Sequence, residues 1–149
     1  MEFKETLTPL HVDDIMVRNP VVVPASAPVA ALVDLLWAHH FTSFPVIDDG
    51  RAVGIATLRH VQPVPRAHWL HTLVREVMQP ITADLAVERG DSVYTAFEKV
   101  SRNGLGRVAV VDGQRLVGYL SLKDITHVLA LRGVGRAGEP PPVRLRRAA

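Results

Sequence analysis

Ser121 and Asp124 stand three residues apart in the run Gly118-Tyr119-Leu120-Ser121-Leu122-Lys123-Asp124. A carboxylate so placed can accept two hydrogen bonds at once, strengthened by its charge. A serine that opens a helix holds its hydroxyl beside free backbone N–H groups and the positive end of the helix dipole, where an anion is favoured. The same residues serve equally as a plain helix cap (Ser121) and a first-turn dipole partner (Asp124). Sixty-four positions earlier, Gly54-Ile55-Ala56-Thr57-Leu58-Arg59-His60 repeats the run. Thr57 answers Ser121, but His60 stands where Asp124 would. A neutral imidazole offers one acceptor nitrogen and loses it on protonation. The two runs therefore differ in what their last residue can accept, and that mismatch points to where a ligand could bind.

Other constellations of reactive residues come to less. His68 and His71 are about one helical turn apart, a spacing that suits a metal. The nearest carboxylate, Glu76, falls off that face, so they read as surface residues. The nucleophile pattern Gly-x-Ser-x-Gly and the phosphate loop Gly-x-x-x-x-Gly-Lys are both missing from the sequence. Asp13-Asp14 and Asp48-Asp49 are paired carboxylates at turn positions, read as cap and hairpin residues. No set of nucleophile, base and oxyanion donors assembles, so neither an enzyme nor a metal site is expected. Trp37 and Trp69 are predicted to lie in the core rather than to act as stacking platforms.

The elements that position these residues also come in two copies. Val21-Val22-Val23 reads as a β-branched strand between Pro20 and Pro24. A helix then starts at Ser26 or Ala27, with Pro28 early and Val29, Leu32, Val33, Leu36 and Trp37 at helical spacing. Pro45 to Ile47 is the second strand, Asp48-Asp49-Gly50 a hairpin turn, and Ala52 to Ala56 the third strand. Thr57 caps a short helix to about Val61. Pro63-Val64-Pro65 marks the joint, and Arg66 to Thr72 reads as a short turn or helix packed on the core. Repeat two opens at Val74-Arg75-Glu76-Val77-Met78, matching Val12-Asp13-Asp14-Ile15-Met16. Its strand is Leu85 to Val87, and its helix is capped by Asp91 or Ser92 and closed at Arg102-Asn103-Gly104. Strands Arg107 to Val111 and Leu116 to Leu120 follow, and Ser121 caps a helix to about Leu131. The predicted divisions are a lead over 1–11, repeats over 12–62 and 74–131, a linker over 63–73, and a tail over 132–149.

With 149 residues, 48% of them apolar, the chain can bury one core shared by two small repeats. One β-α-β-β-α unit cannot cover both faces of its own sheet, so two must stack. The fold class is therefore α+β, close to α/β, with two pseudo-symmetric repeats packed as one module. Net charge is +2, and the tail after Leu131 carries five arginines against Glu139 alone. The basic pI thus reflects a Pro/Gly-rich tail, expected to be disordered, and gives no ground for a specific nucleic-acid partner. There is no cysteine, hence no disulfide framework. No apolar run reaches the roughly 18–20 residues that span a bilayer, and Met1 to Leu10 holds no signal core. A soluble, cytoplasmic chain is expected.

The tandem order of these motifs resembles the cystathionine-beta-synthase (CBS) domain pair, or Bateman module. The matching features are the Asp/Glu-x-Met openings, the apolar strands ending in Asp48 and Asp112, and the closing Gly-x-x-Ser/Thr, whose final Asp is present only in repeat two. The resemblance implies a regulatory module that binds an adenosyl ligand, such as AMP, ADP, ATP or S-adenosylmethionine, with its ribose on the closing carboxylate. It requires no cofactor and implies a homodimer. It places the better site at Ser121 and Asp124, with Met16, Val21, Phe41 and Thr42 brought in from the other repeat. The degenerate site is placed at Thr57 and His60, facing Met78, Leu85, Leu105, Gly106 and Arg107; Arg107 reads equally as a bidentate phosphate ligand or as a solvated arginine at a strand start. A ligand-free structural or dimerisation module is the alternative. The stretch Phe41 to Gly50, with Thr57-Leu58-Arg59, Val64-Pro65-Arg66 and Trp69, also looks like the regulatory CBS pair of site-2-protease-like intramembrane metallopeptidases. The His-Glu-x-x-His zinc motif of those enzymes is absent. That resemblance implies a covalently linked membrane protease domain and a place at the cytosolic face of a membrane.

Overall fold

The structure, a computed structural model, describes residues 3–134. The predicted basic tail lies outside them from residue 135 onward. Repeat one contains helix α2 (Val12–Ile15), strands β1 (Val17–Arg18) and β2 (Val23–Pro24), helix α3 (Val29–His39), strands β3 (Ser43–Asp48) and β4 (Arg51–Thr57), and helix α4 (Leu58–Val61). Repeat two follows the same order: α5 (Val74–Val77), β5 (Gln79–Pro80), β6 (Ala86–Glu88), α6 (Val93–Arg102), β7 (Arg107–Asp112), β8 (Arg115–Ser121) and α7 (Leu122–Val134). A short helix α1 (Phe3–Leu7) precedes them, within the lead that the sequence left without structure.

Local chemistry accounts for the turns. At the β3–β4 hairpin, Asp49 and Gly50 both take positive φ (52° and 79°), the type I′ geometry that matches strand twist. Gly113 does the corresponding work between β7 and β8 at φ 70°. Ser92 caps α6, its side chain accepting from Thr95 N at 3.2 Å. Gly104, at φ 81°, follows the end of that helix.

Eight strands form one mixed sheet in the order β2-β3-β4-β8-β7-β6, with β1 on β8 and β5 on β4. Each repeat's opening strand therefore pairs with the closing strand of the other repeat: Arg18 with Gly118, and Pro80 with Gly54. Both hairpins carry an irregularity at equivalent places, Val46/Ile47 and Val110/Val111. The exchange extends to the cores. Leu7, Val12, Ile15 and Met16 of the N-terminal part pack with Val93, Val108, Leu120 and Ile125 of repeat two. Val74, Val77 and Met78 in turn pack with Val29, Leu32, Phe44 and Val46 of repeat one. The mutual loan of segments joins the two repeats through one sheet and two cores that each draw on both.

Two sequence expectations are corrected, and one strand is added. The strand read at Val21–Val23 is reduced to Val23–Pro24, because only there does the chain run beside β3. A strand at Val17–Arg18 forms instead through pairing with the distant Tyr119 and Gly118. Trp37 is 76% exposed rather than core, since the stripe buried by α3 is centred on Val29 and Leu32. Trp69 is partly buried against repeat one's core, and its indole N–H donates to Val64 O at 3.0 Å.

Candidate functional site

Ser121 ends β8 and immediately precedes α7, so sheet register and helix start together fix its position. Its backbone N–H and its hydroxyl both donate to Asp124 Oδ2, at 3.2 and 3.0 Å. Asp124 N donates back to Ser121 Oγ at 3.1 Å. This is a reciprocal capping box, with aspartate in the place usually held by glutamate. Asp124 is 4% exposed. The pair thus forms the cap that the spacing allowed.

The pair also lines a cleft of about 900 Å³, bounded by four segments: residues 17–21, 39–45, 105–107 and 119–124. Two come from each repeat. Such a volume lies within the range of small-molecule and cofactor sites. Val21, Phe41 and Thr42 line it, where the resemblance put them. Phe41 is held in a ring cluster, stacked on His39 at 5.6 Å and tilted against Phe44 at 5.8 Å.

Met16 and Leu85 were placed in sites and are core residues instead. Met16 is 5% exposed and packs over Gly118, while Leu85 is 3% exposed in the turn before β6. Met16 does not line the cleft in which the resemblance put it. Leu105 and Arg107, grouped by sequence with Thr57 and His60, line the Ser121–Asp124 cleft. The β7–β8 register sets Arg107 directly opposite Ser121, which explains the transfer. Arg107 reaches across to repeat one: Nη2 donates to Thr42 Oγ1 at 2.8 Å and Nη1 to Leu105 O at 2.9 Å.

The sequence reading missed Tyr119, Ser43, Arg18 and Lys123, which also line the cleft. Tyr119 and Ser43 join the repeats through a 2.9 Å hydroxyl–hydroxyl hydrogen bond. Burial pushes the Tyr119 hydroxyl up to about 12, against the opposing pull of the Ser43 hydrogen bond and the Arg107 charge. Tyr119 therefore stays neutral across the physiological range. Its signal was available: strand alternation puts Tyr119 and Ser121 on one face.

At the equivalent position of repeat one, His60 Nδ1 accepts from Thr57 N at 3.0 Å. Thr57 Oγ1 lies 3.2 Å from the same nitrogen. The imidazole thus takes over the capping role of the carboxylate, provided Nδ1 is unprotonated. Burial, then the nearby Arg59 charge, lowers the His60 pKa below its ordinary value of 6.5. The unfolded chain consequently binds the proton more readily than the folded one, and stability must rise with pH in this window. The contribution is complete above about pH 6.5 and is lost as pH falls toward the depressed folded value. Melting temperature followed from pH 7.5 to 5.5 should drop more in the native chain than in His60→Asp, whose carboxylate keeps accepting throughout. Parallel curves would remove His60 from this role.

Among the described residues, no group of three or more histidines and carboxylates could hold a metal ion, and no helix is long and apolar enough to cross a membrane.

The CBS domain family matches the chain twice, over residues 12–62 and 74–131. The chain belongs to that family and is a tandem CBS pair. It is similar to a zinc metalloprotease of Methanocaldococcus jannaschii, 25% identical over 118 residues that cover 79% of this chain and 32% of the relative. The chain thus spans about a third or less of the curated relatives it matches. Its fold is similar to that of CBSX2 in complex with AMP (24% identity, TM-score 0.72, 83% of this chain and 97% of that one). It is likewise similar to the CBS domain of a bacterial CNNM/CorC family Mg2+ transporter in complex with ATP (19% identity, TM-score 0.73, 84% and 90%).

Proposed function

We propose that this CBS pair is a regulatory module that binds an adenosine nucleotide in the Ser121–Asp124 cleft and thereby controls a partner domain. The observation that carries this reading is the meeting, in one cleft formed by both repeats, of a buried carboxylate, a cationic arginine and an apolar wall at Val21 and Phe41. A carboxylate suits the two ribose hydroxyls, an arginine a phosphate, and the apolar wall a base. Solved relatives with AMP and ATP support the ligand class, and the zinc metalloprotease relative supports a linked protease domain as the controlled partner. Control requires that the ligand bind two states of the assembly unequally. A homodimer is part of the proposal: α3 carries Asp34 as its one charged residue apart from the terminal His39, and it leaves Trp37 exposed, as an association surface would.

A second reading has its own support. Asp124 Oδ2 already accepts twice from Ser121, so the pair is accounted for without a ligand. On that reading the chain is a structural or dimerising module.

Thermal unfolding during titration with AMP, ADP, ATP and S-adenosylmethionine separates the two. A ligand present at about 100 times its Kd adds about 2.7 kcal/mol of stability. An unchanged melting temperature with all four at millimolar concentration would rule out the adenosyl reading.

A further inference from the structure

We infer that the face formed by α4, residues 62–73 and the start of α5 docks onto an anionic lipid surface. The face is separate from the Ser121–Asp124 cleft, since none of its residues lines that cleft. Between Gly50 and Arg75 the sequence contains no aspartate and no glutamate. The same stretch holds Arg59, Arg66 and Arg75, with His68 and His71, and all five are exposed. Among the described residues none of the three arginines is in an ion pair, and Arg66 rests over the Trp69 ring at 5.6 Å. The adjoining carboxylates do little to offset them. Glu76 accepts from Leu73 N at 2.7 Å, and Asp34 belongs to α3. The field over this face is therefore positive.

The same face holds apolar side chains out in water. Four large apolar residues are exposed among the described residues, and two of them, Leu58 (43%) and Leu70 (72%), lie here. The exposure of Leu70 is built into the fold. Trp69 packs against the core of repeat one, and its carbonyl accepts from Ala30 N at 3.0 Å. Thr72 O accepts from Val29 N at 2.8 Å. With both neighbours fastened to the start of α3, Leu70 projects from a fixed turn and cannot reach the core. Charge and apolarity together select the occupant. A second copy of this face would set arginine against arginine. The chain's own tail carries five arginines against Glu139 alone and is equally mismatched. A nucleic acid would neutralise the arginines and leave the leucines wet. An anionic bilayer supplies both needs, with negative headgroups for the guanidinium groups and an acyl boundary for the leucines. Arginine stems can lie along that boundary while their heads stay among the headgroups.

The test is co-sedimentation of the full chain with vesicles of phosphatidylcholine alone, or of phosphatidylcholine mixed with phosphatidylglycerol. The proteins compared are the native chain, Leu70→Ser and Arg59→Gln/Arg75→Gln. The native chain is expected to partition onto the mixed vesicles and not onto phosphatidylcholine alone, less so as salt rises. Each arginine removed should weaken partitioning about fivefold, the pull of one basic residue toward an anionic surface. Leu70→Ser should weaken it about tenfold, as expected for the loss of one buried leucine. The tail's arginines are present in every variant, so differences between variants report this face alone. All three substituted side chains are exposed, and denaturant midpoints measured alongside establish that the variants fold. In Trp37→Phe, Trp69 is the one indole left, and brominated lipid in the mixed vesicles should quench its fluorescence. Equal partitioning of native chain and variants would assign vesicle binding to the tail and overturn the inference. Absence of binding to the mixed vesicles, or tighter binding to polyuridylate than to them, would overturn it as well.

Discussion

Gly118→Ala is expected to destabilise the module by about 1–3 kcal/mol, the cost of forcing an extra carbon into a packed interior. A Cβ at this position would collide with Met16 Sδ, lie 2.9 Å from Met16 Cγ and sit 3.1 Å from Val17 O. The sulfur belongs to a flexible side chain and can yield, but the carbonyl cannot move without disturbing the β1–β8 pairing. Removing the thioether as well, in Gly118→Ala/Met16→Ala, should restore part of the loss by opening space, though the cavity prevents full recovery. Gly54 and Met78 repeat the arrangement, with the added carbon 2.5 Å from Met78 Sδ and 2.7 Å from Gln79 O. Urea midpoints read the effect directly. An unchanged midpoint in both single variants would mean that the exchanged strands do not depend on these close approaches.

Asp124→Ala should produce two separate losses. The first is in the fold: the Ser121 N–H loses its acceptor, and the helix loses its capping box, at a cost of about 1–2 kcal/mol. The second is in ligand binding. Charge-assisted hydrogen bonds to ribose hydroxyls are worth about 1.5–3 kcal/mol each, which corresponds to roughly a 10- to 150-fold change in Kd. Asp124→Asn helps to divide them, since the amide keeps the shape and one acceptor oxygen while losing the charge. It should retain most of the stability and lose most of the affinity. If instead Asp124→Ala melts early but responds to nucleotide as the native chain does, Asp124 is a cap and nothing more.

The tandem repeat was legible because its signals are local. Gly50 and Gly113 mark two-residue turns, Ser92 caps a helix, and Val46/Val110 and Gly54/Gly118 recur at a fixed offset of 64. The exchange of opening strands was not legible. β1 and β5 are two residues long, and their stability comes from partners in the other repeat, so no periodicity marks them. Met16 shows the consequence: its place depends on Gly118, about a hundred positions away, and the sequence reading put it in the cleft rather than under the sheet. Arg107 was recognised as a phosphate candidate but assigned to the wrong cleft, because the antiparallel register that faces it with Ser121 is a tertiary fact. Trp37 was misread because helical spacing says which residues share a face, not how wide the buried stripe is. His60 was read as a defect in a binding motif. The structure adds why the exchange is tolerated: a neutral imidazole nitrogen accepts the Thr57 N–H in the carboxylate's place.

The central claim is that the cleft at Ser121 and Asp124, rather than its counterpart at Thr57 and His60, holds the adenosine nucleotide. The most direct measurement compares the rise in melting temperature that AMP and ATP produce in the native chain, Asp124→Ala and His60→Ala. The native chain and His60→Ala should respond alike, and Asp124→Ala should not respond. A response that survives in Asp124→Ala and disappears in His60→Ala would contradict the claim and move the binding site to repeat one's closing motif.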